Sequence, residues 1–353
     1  MSKFMDKRFL SLKEYTPGEQ PQDKSYIKLN TNESPFAPSP SVIKAVNGEA
    51  VERLCLYSDP TAKKLKSAIA SLYGVESENV FISNGSDEIL NFAFMLYGNV
   101  GGTVFPDITY GFYKVFGDLY GINCYQSPLN DDFTVNVDDF MNTGKLTVLA
   151  NPNAPTGIAL DIETIEEIVK SNKDSVVVID EAYVDFGGES AIKLIEKYDN
   201  LIVCQTFSKS RSMAGARLGF CFASKEIIGD LERIKYSTNP YNINSLTQIA
   251  GAAAIEENDY YLENAKKIIE NREFTVSELE KLGFKVLPSK ANFVFAKSDK
   301  VSGKDLYLSL KEKGVLVRHF DNERICEFNR ITIGSREQME KFIETVKSVL
   351  EEV

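Results

Sequence analysis

Residues Leu201–Phe220 read LIVCQTFSKSRSMAGARLGF, an apolar run that ends in hydroxyls, a lysine and two arginines before apolar residues resume. A strand that is apolar without alternation is covered on both faces, as in a parallel sheet layered with helices. Lys209 and Arg217 stand eight residues apart, with Thr206 and Ser208 beside them. A primary amine next to hydroxyls and a guanidinium suits an aldehyde that carries a phosphate. Lys209 would form the imine, and Thr206, Ser208 and Arg217 would hold the phosphate through charge-assisted hydrogen bonds. Taken alone, the stretch reads equally well as a solvated basic turn.

Upstream, SVVVIDEAY (Ser175–Tyr183) predicts a second buried strand that delivers Asp180 at its C-terminal end. Open α/β sheets place ligands at that end. A carboxylate there can keep a pyridine nitrogen protonated and so make the ring an electron sink. Tyr183, three residues on, could bond a ring oxygen. The competing reading is a Mg²⁺-binding Asp-Glu pair, but no G-x-x-x-x-G-K-[ST] accompanies it. SNGSDE (Ser83–Glu88) is a strand end, a glycine turn and a helix start. It would aim the N–H groups of Gly85, Ser86 and Asp87 at an anion, although Asp87 and Glu88 equally suit any helix N-terminus. NPNAPTG (Asn151–Gly157) is a rigid turn that could aim Asn153 at the same place, or an ordinary Pro-Gly turn. In PDITYGFY (Pro106–Tyr113), Tyr110 could stack on an aromatic ring or simply pack.

Strand-like runs recur at Asn79–Ser83, Gly102–Phe105, Leu146–Ala150, Ser175–Ile179, Leu201–Cys204 and Gly219–Ala223. Helical spacing lies between them, as over Ile162–Val169, and ahead of them at Thr61–Tyr73, where Leu65, Ile69 and Leu72 share one face. The class is therefore α/β: a large domain over 31–258 with a mostly parallel central sheet. From 259 a long charged helix followed by short strands and helices predicts a smaller α+β domain over 259–353. Residues 1–30, polar, broken by Pro17, Gly18 and Pro21 and without a clear periodicity, read as an arm that packs on the small domain or on a dimer partner.

With 353 residues, 43% hydrophobic and 26% charged, the chain is long enough for two domains. Its net charge of −11 argues against nucleic acid or an anionic membrane as a bulk partner. One histidine, His319, leaves no basis for a His-built zinc site or a Ser-His-Asp triad. No metal site is expected. Five scattered cysteines without a C-x-x-C predict a reducing, cytoplasmic setting. The charged N-terminus is no signal peptide, and no window approaches about 18 apolar residues.

The pieces, in this order, resemble the fold-type I pyridoxal-phosphate aminotransferases, and within them the histidinol-phosphate aminotransferase family. The likeness also takes in L-x-x-Y-x-P-G (Leu12–Gly18), KLNTNESPFAPSP (Lys28–Pro40), LYSDP around Tyr57, ANFVFA (Ala291–Ala296), VLVR (Val315–Arg318) and NRITIG (Asn329–Gly334). The resemblance implies pyridoxal 5'-phosphate as cofactor, with Lys209 as imine lysine and proton shuttle. It places Asp180 on the pyridinium nitrogen, Tyr183 on the ring oxygen and Tyr110 over the ring. Gly85, Ser86, Asp87, Thr206, Ser208 and Arg217 would take the phosphate. Tyr57 would reach the cofactor of the neighbouring subunit in a homodimer. Arg330, with Arg318 and Tyr15, would bind the substrate's anionic end, and Asn32 would be a further substrate-binding residue. It implies transfer of an amino group from histidinol phosphate to 2-oxoglutarate. A threonine-phosphate decarboxylase and a broad aromatic aminotransferase share the same site, and a non-catalytic relative of the fold is the reading from another class. Two positions depart from the family's pattern. Ala154 stands where an asparagine contacts the ring oxygen, so that either Asn153 substitutes with a shifted backbone or the contact is lost, and Ser58 replaces a proline beside Tyr57.

Overall fold

The computed structural model describes residues 3–10, 12 and 15–352. Ser11, Lys13 and Glu14 of the expected arm, the last two within the L-x-x-Y-x-P-G motif, lie outside the described residues, as do Met1, Ser2 and Val353. In chain order the strands are β1 (Ile27–Lys28), β2 (Val80–Ser83), β3 (Thr103–Pro106), β4 (Cys124–Ser127), β5 (Leu146–Ala150), β6 (Val177–Asp180) and β7 (Leu201–Thr206). There follow β8 (Gly219–Phe222), β9 (Phe284–Val286), β10 (Phe293–Ser298), β11 (Val315–Leu316), β12 (Arg318–His319) and β13 (Asn329–Thr332).

The central sheet has seven strands in the order β2-β8-β7-β6-β5-β3-β4. Its pairs are parallel except at β8, which runs against both β2 and β7. Val177, Ile179, Leu201 and Val203 enter one apolar cluster, while Val178 and Ile202 enter another on the opposite face. Both faces are therefore covered, which is the physical reason these strands carry no polar alternation. The edge strand β4 escapes a hydrophobicity reading because Cys124, Tyr125 and Gln126 are not buried.

Register lines up the strand ends that matter. Thr206, Gly219 and Ser83 share one row, and Ala150, Asp180 and Cys204 another. Strand β7 runs two residues beyond the Cys204 expected from sequence, so Thr206 is fixed by the sheet itself.

A second sheet, β12-β13-β10-β9, is antiparallel. It packs with helices Asn258–Lys281, Gly303–Glu312 and Arg336–Glu351 around Ile268, Val294, Leu306, Ile331, Met339 and Phe342. The arm joins this unit: β1 pairs in parallel with β11. Leu29 enters the same apolar cluster, and Lys24 Nζ donates to the Glu312 carbonyl at 2.8 Å. Among the described residues no helix is long and apolar enough to cross a membrane.

Candidate active site

Two chambers adjoin at the C-terminal ends of β5, β6 and β7. The smaller, about 170 Å³, is lined by Asp180, Thr206, Ser208, Lys209 and Arg217 among others. The larger, about 440 Å³, takes Tyr15 from the arm, Asn32 from just beyond it, and Arg318 and Arg330 from the second unit. Thr31, Tyr110, Ala154, Tyr183 and Lys209 line both, so the lysine stands on their common wall.

One end of the small chamber is a cradle for an anion. Helix Ser86–Tyr97 begins behind Gly85, whose φ of 75° is left-handed and which offers no side chain to cap the first N–H groups. The first turn therefore presents N–H donors and the positive end of the helix dipole. A Cβ on Gly85 would lie 2.6 Å from Arg217 Nη2, and one on Gly219 would lie 2.4 Å from the Ser86 nitrogen. Bare α-carbons are what bring the guanidinium and the helix start together. The Thr206 hydroxyl donates to Ser208 Oγ at 3.0 Å and accepts from the Ser208 N–H at 3.1 Å. Arg217 bonds Ser208 Oγ at 3.4 Å and Asp87 at 3.2 Å.

At the other end Asp180, 5% exposed, ends β6. Its Oδ2 accepts from the Tyr113 hydroxyl at 2.8 Å and its Oδ1 from the Ala182 N–H at 3.3 Å. Burial pushes its pKa up to about 6, while the Tyr113 hydroxyl pulls it back down. Lys209 Nζ donates to the Thr31 carbonyl at 3.3 Å and lies 5.6 Å from the Tyr183 ring centre. The Tyr183 hydroxyl accepts from Asn32 at 3.0 Å. The next carboxylate, Glu181, faces away into the protein, where Ser190, the Ala191 N–H and Gln205 bond it; burial raises it to about 7.

In the larger chamber Arg330 is the dominant group. One Nη donates to the Asn30 carbonyl at 3.1 Å, and its plane packs on Phe293 and Phe320. Its Nε is buried without an acceptor, and desolvation lowers its pKa from the usual arginine value. A half-buried cation whose buried Nε is an unused donor is a prepared anion site. Arg318 differs, because its guanidinium already donates to the Thr16 and Pro17 carbonyls at 3.2 Å each. Tyr15 packs on Phe112 with ring centres 4.5 Å apart.

Most residues singled out from sequence converge here, and four take positions worth stating. Asn153 is a correction: it lines neither chamber. Its amide donates to Ile108 O and Thr156 Oγ1 and accepts from Thr109 Oγ1, so the turn consumes it and Ala154 occupies the wall instead. The Asn32 side chain is buried between Tyr183 and Thr332, which makes it a prop for Tyr183. Tyr57 is 84% exposed, stacks on Tyr241 and lines neither chamber. His319 stacks on Tyr307 outside both. Tyr113 and Thr31 were not singled out from sequence. Only the spacing of Tyr110 and Tyr113, three apart at a helix start, offered a signal for the former.

The chain matches the family described as aminotransferase class I and II over residues 24–346. It belongs to that family. A histidinol-phosphate aminotransferase of Brachyspira hyodysenteriae is 50% identical to this aminotransferase over 352 residues, with 99% of each chain covered. One from Clostridium acetobutylicum is 46% identical, covering 99% of this chain and 100% of that one. The crystal structure of the Sinorhizobium meliloti histidinol-phosphate aminotransferase in complex with pyridoxal-5'-phosphate superposes with a TM-score of 0.85 at 24% identity. It covers 93% of this chain and 92% of that one. At that identity the likeness establishes the fold, which is fold-type I with a mostly parallel central sheet.

Proposed function

We propose that the chain transfers the amino group of L-histidinol phosphate to 2-oxoglutarate, giving imidazole-acetol phosphate and L-glutamate, with pyridoxal 5'-phosphate in the smaller chamber. The observation that carries this reading is the Lys209 amine on the wall shared by an anion cradle and a chamber holding Arg330. The residues fit the cofactor. The space a Cβ on Gly85 would fill lies beside Arg217, and the buried Asp180 carboxylate lines the same chamber. The cradle of Gly85, Ser86, Asp87, Thr206, Ser208 and Arg217 would hold the phosphate, Asp180 the ring nitrogen, and Tyr183 the ring oxygen, with Tyr110 as a wall. When bound, the cofactor supplies a protonated ring that delocalises the charge left by a departing Cα proton.

The chain's own groups do the rest. Lys209 Nζ takes that proton and returns it, and the Thr31 carbonyl sets where its lone pair points. Asp180 must be ionised to favour a cation beside it. Arg330 orients the substrate's anionic end with Arg318 and Tyr15 around it. A guanidinium accepts a phosphate monoester or a carboxylate in the same fork geometry, which lets one chamber serve donor and acceptor in turn.

The arm (1–30), large unit (31–258) and small unit (259–353) divide this labour: the large unit supplies the cradle and one wall of the substrate chamber, and the arm and small unit bring Tyr15, Arg318 and Arg330 to that chamber. A homodimer belongs to the same proposal. Ile43, Val51, Leu54, Leu56 and Tyr57 are exposed, and a second copy would cover them while carrying Tyr57 to the neighbouring cradle. Five cysteines, all free, fit a cytoplasmic setting.

The test is a half-reaction without oxo acid, following the absorbance of the bound cofactor. Histidinol phosphate is expected to convert it rapidly to the amine form, with threonine phosphate and phenylalanine far slower. Carbon dioxide released from threonine phosphate, or phenylalanine reacting as fast, would overturn the substrate assignment.

A further inference from the structure

We propose that Tyr113 is a positioning residue for amino transfer, its phenol orienting the Asp180 carboxylate and stabilising its charge. This inference rests on the cofactor reading above. Tyr113 is fully buried. Its hydroxyl lies 2.8 Å from Asp180 Oδ2, and the Ala182 N–H takes the other oxygen. With both oxygens engaged, the plane of the carboxylate is fixed.

The phenol is itself held. Phe94 stacks on the ring at 6.4 Å, while Phe105 and Tyr110 meet it edge-on at 5.8 and 5.6 Å. Tyr110 donates in turn to Asp87 Oδ1 at 2.8 Å. Two tyrosines, three residues apart at one helix start, thus each grip a carboxylate that lines the small chamber, Asp87 at the phosphate end and Asp180 at the other.

The charges facing Asp180 explain why a donor is needed. Burial and the Asp87 carboxylate both favour its neutral form, and Lys209 opposes them from across the chamber. The Cys204 thiol is pushed well above its ordinary range by burial and stays neutral. The Tyr113 hydroxyl is the largest influence favouring the ion. Its own pKa is raised well above 10, so it remains a donor at every working pH. A carboxylate that kept its proton would leave a neighbouring ring nitrogen without a counter-charge.

The experiment compares cofactor-loaded parent and Y113F by pH titration of the bound cofactor's absorbance and by steady-state kinetics. A lost hydrogen bond to a charged group predicts a fall in kcat of roughly ten- to a hundred-fold, KM for the amino donor within about twofold, and a displaced titration midpoint. F105L, which loosens the packing on the same ring but keeps the hydroxyl, is expected to leave the midpoint in place. Y113H, which retains a donor, should recover part of kcat over Y113M, and that pair carries the comparison if Y113F does not fold. An unchanged midpoint and kcat in Y113F, or the same displacement in F105L, would overturn the inference. A parent that transfers no amino group overturns the functional reading instead.

Discussion

The smaller chamber is walled chiefly by strand ends and the turns beside them, and its polar groups are largely paired with one another: Asp180 with Tyr113, Asp87 with Tyr110 and Arg217, Thr206 with Ser208. The larger is walled by the arm and by loops between strands, and its central cation, Arg330, has no ion-pair partner among the described residues and an idle Nε. Self-pairing makes the first a fixed mould, in which donors need little reorganisation when a ligand replaces one another's company. A half-buried guanidinium without an ion-pair partner among the described residues makes the second a site whose energy is realised chiefly when an anion arrives. The fold thus separates holding a cofactor from choosing a substrate, with Lys209 touching both.

The sharpest way to break this division is at the shared wall. Lys209→Ala is expected to reduce turnover below about one ten-thousandth of the parent's, because both nucleophile and proton carrier are lost. The cradle is untouched, so cofactor should remain bound non-covalently after ultrafiltration. Turnover near the parent rate would remove Lys209 from the chemistry.

A smaller effect separates the two arginines. Arg330→Gln is expected to raise KM for the phosphorylated donor roughly a hundred-fold, since a charge-assisted bidentate contact is lost. Cofactor affinity, measured by fluorescence titration, should stay within about threefold. Arg318→Gln should cost less than Arg330→Gln, because the arm's Thr16 and Pro17 carbonyls already engage that guanidinium. Parallel loss of cofactor and substrate binding in Arg330→Gln would mean that the chambers are not independent.

The same contrast explains what could be read from the sequence. Thr206, Ser208, Lys209 and Arg217 lie in one run of twelve residues that starts at the last residue of β7, and Asp180 ends β6, so sheet geometry delivers them together wherever the strands are recognised. The larger chamber gathers Thr31 from the arm side, Thr109 from the β3 turn and Phe320 and Asn322 from beyond β12. No local spacing encodes that meeting, and only resemblance to a family pointed to Arg330 and Tyr15. Asn153 misled because a side chain in a turn can satisfy the turn itself, as its bonds to Ile108, Thr109 and Thr156 do. Tyr113 was hidden for another reason: a residue that acts through Asp180 leaves a signature of burial, which looks like packing.

A measurement of stability rather than turnover tests whether the mould stores a cost. Asp180 is raised to about 6 and Glu181 to about 7, both above ordinary carboxylates. As pH rises through this window the unfolded chain surrenders these protons first. The folded state then holds more of them, and stability attributable to the two groups falls with pH. Below the unfolded values, near pH 4, the cost vanishes. Surface acids such as Glu19, lowered by its bonds with Lys311 and Tyr307, give the opposite trend at more acid pH, so a single stability curve mixes the two. Asp180→Asn isolates the buried contribution. In urea unfolding of the cofactor-free protein, the parent should lose stability relative to Asp180→Asn between about pH 4 and pH 7, by something on the order of 3 kcal/mol, and then level off. Arg330 contributes no slope there, because a guanidinium stays charged throughout the range even when burial lowers its pKa. A pH-independent difference between parent and Asp180→Asn would show that the carboxylate is as comfortable inside the fold as in water, and the mould would then carry no stored charge for a cofactor to relieve.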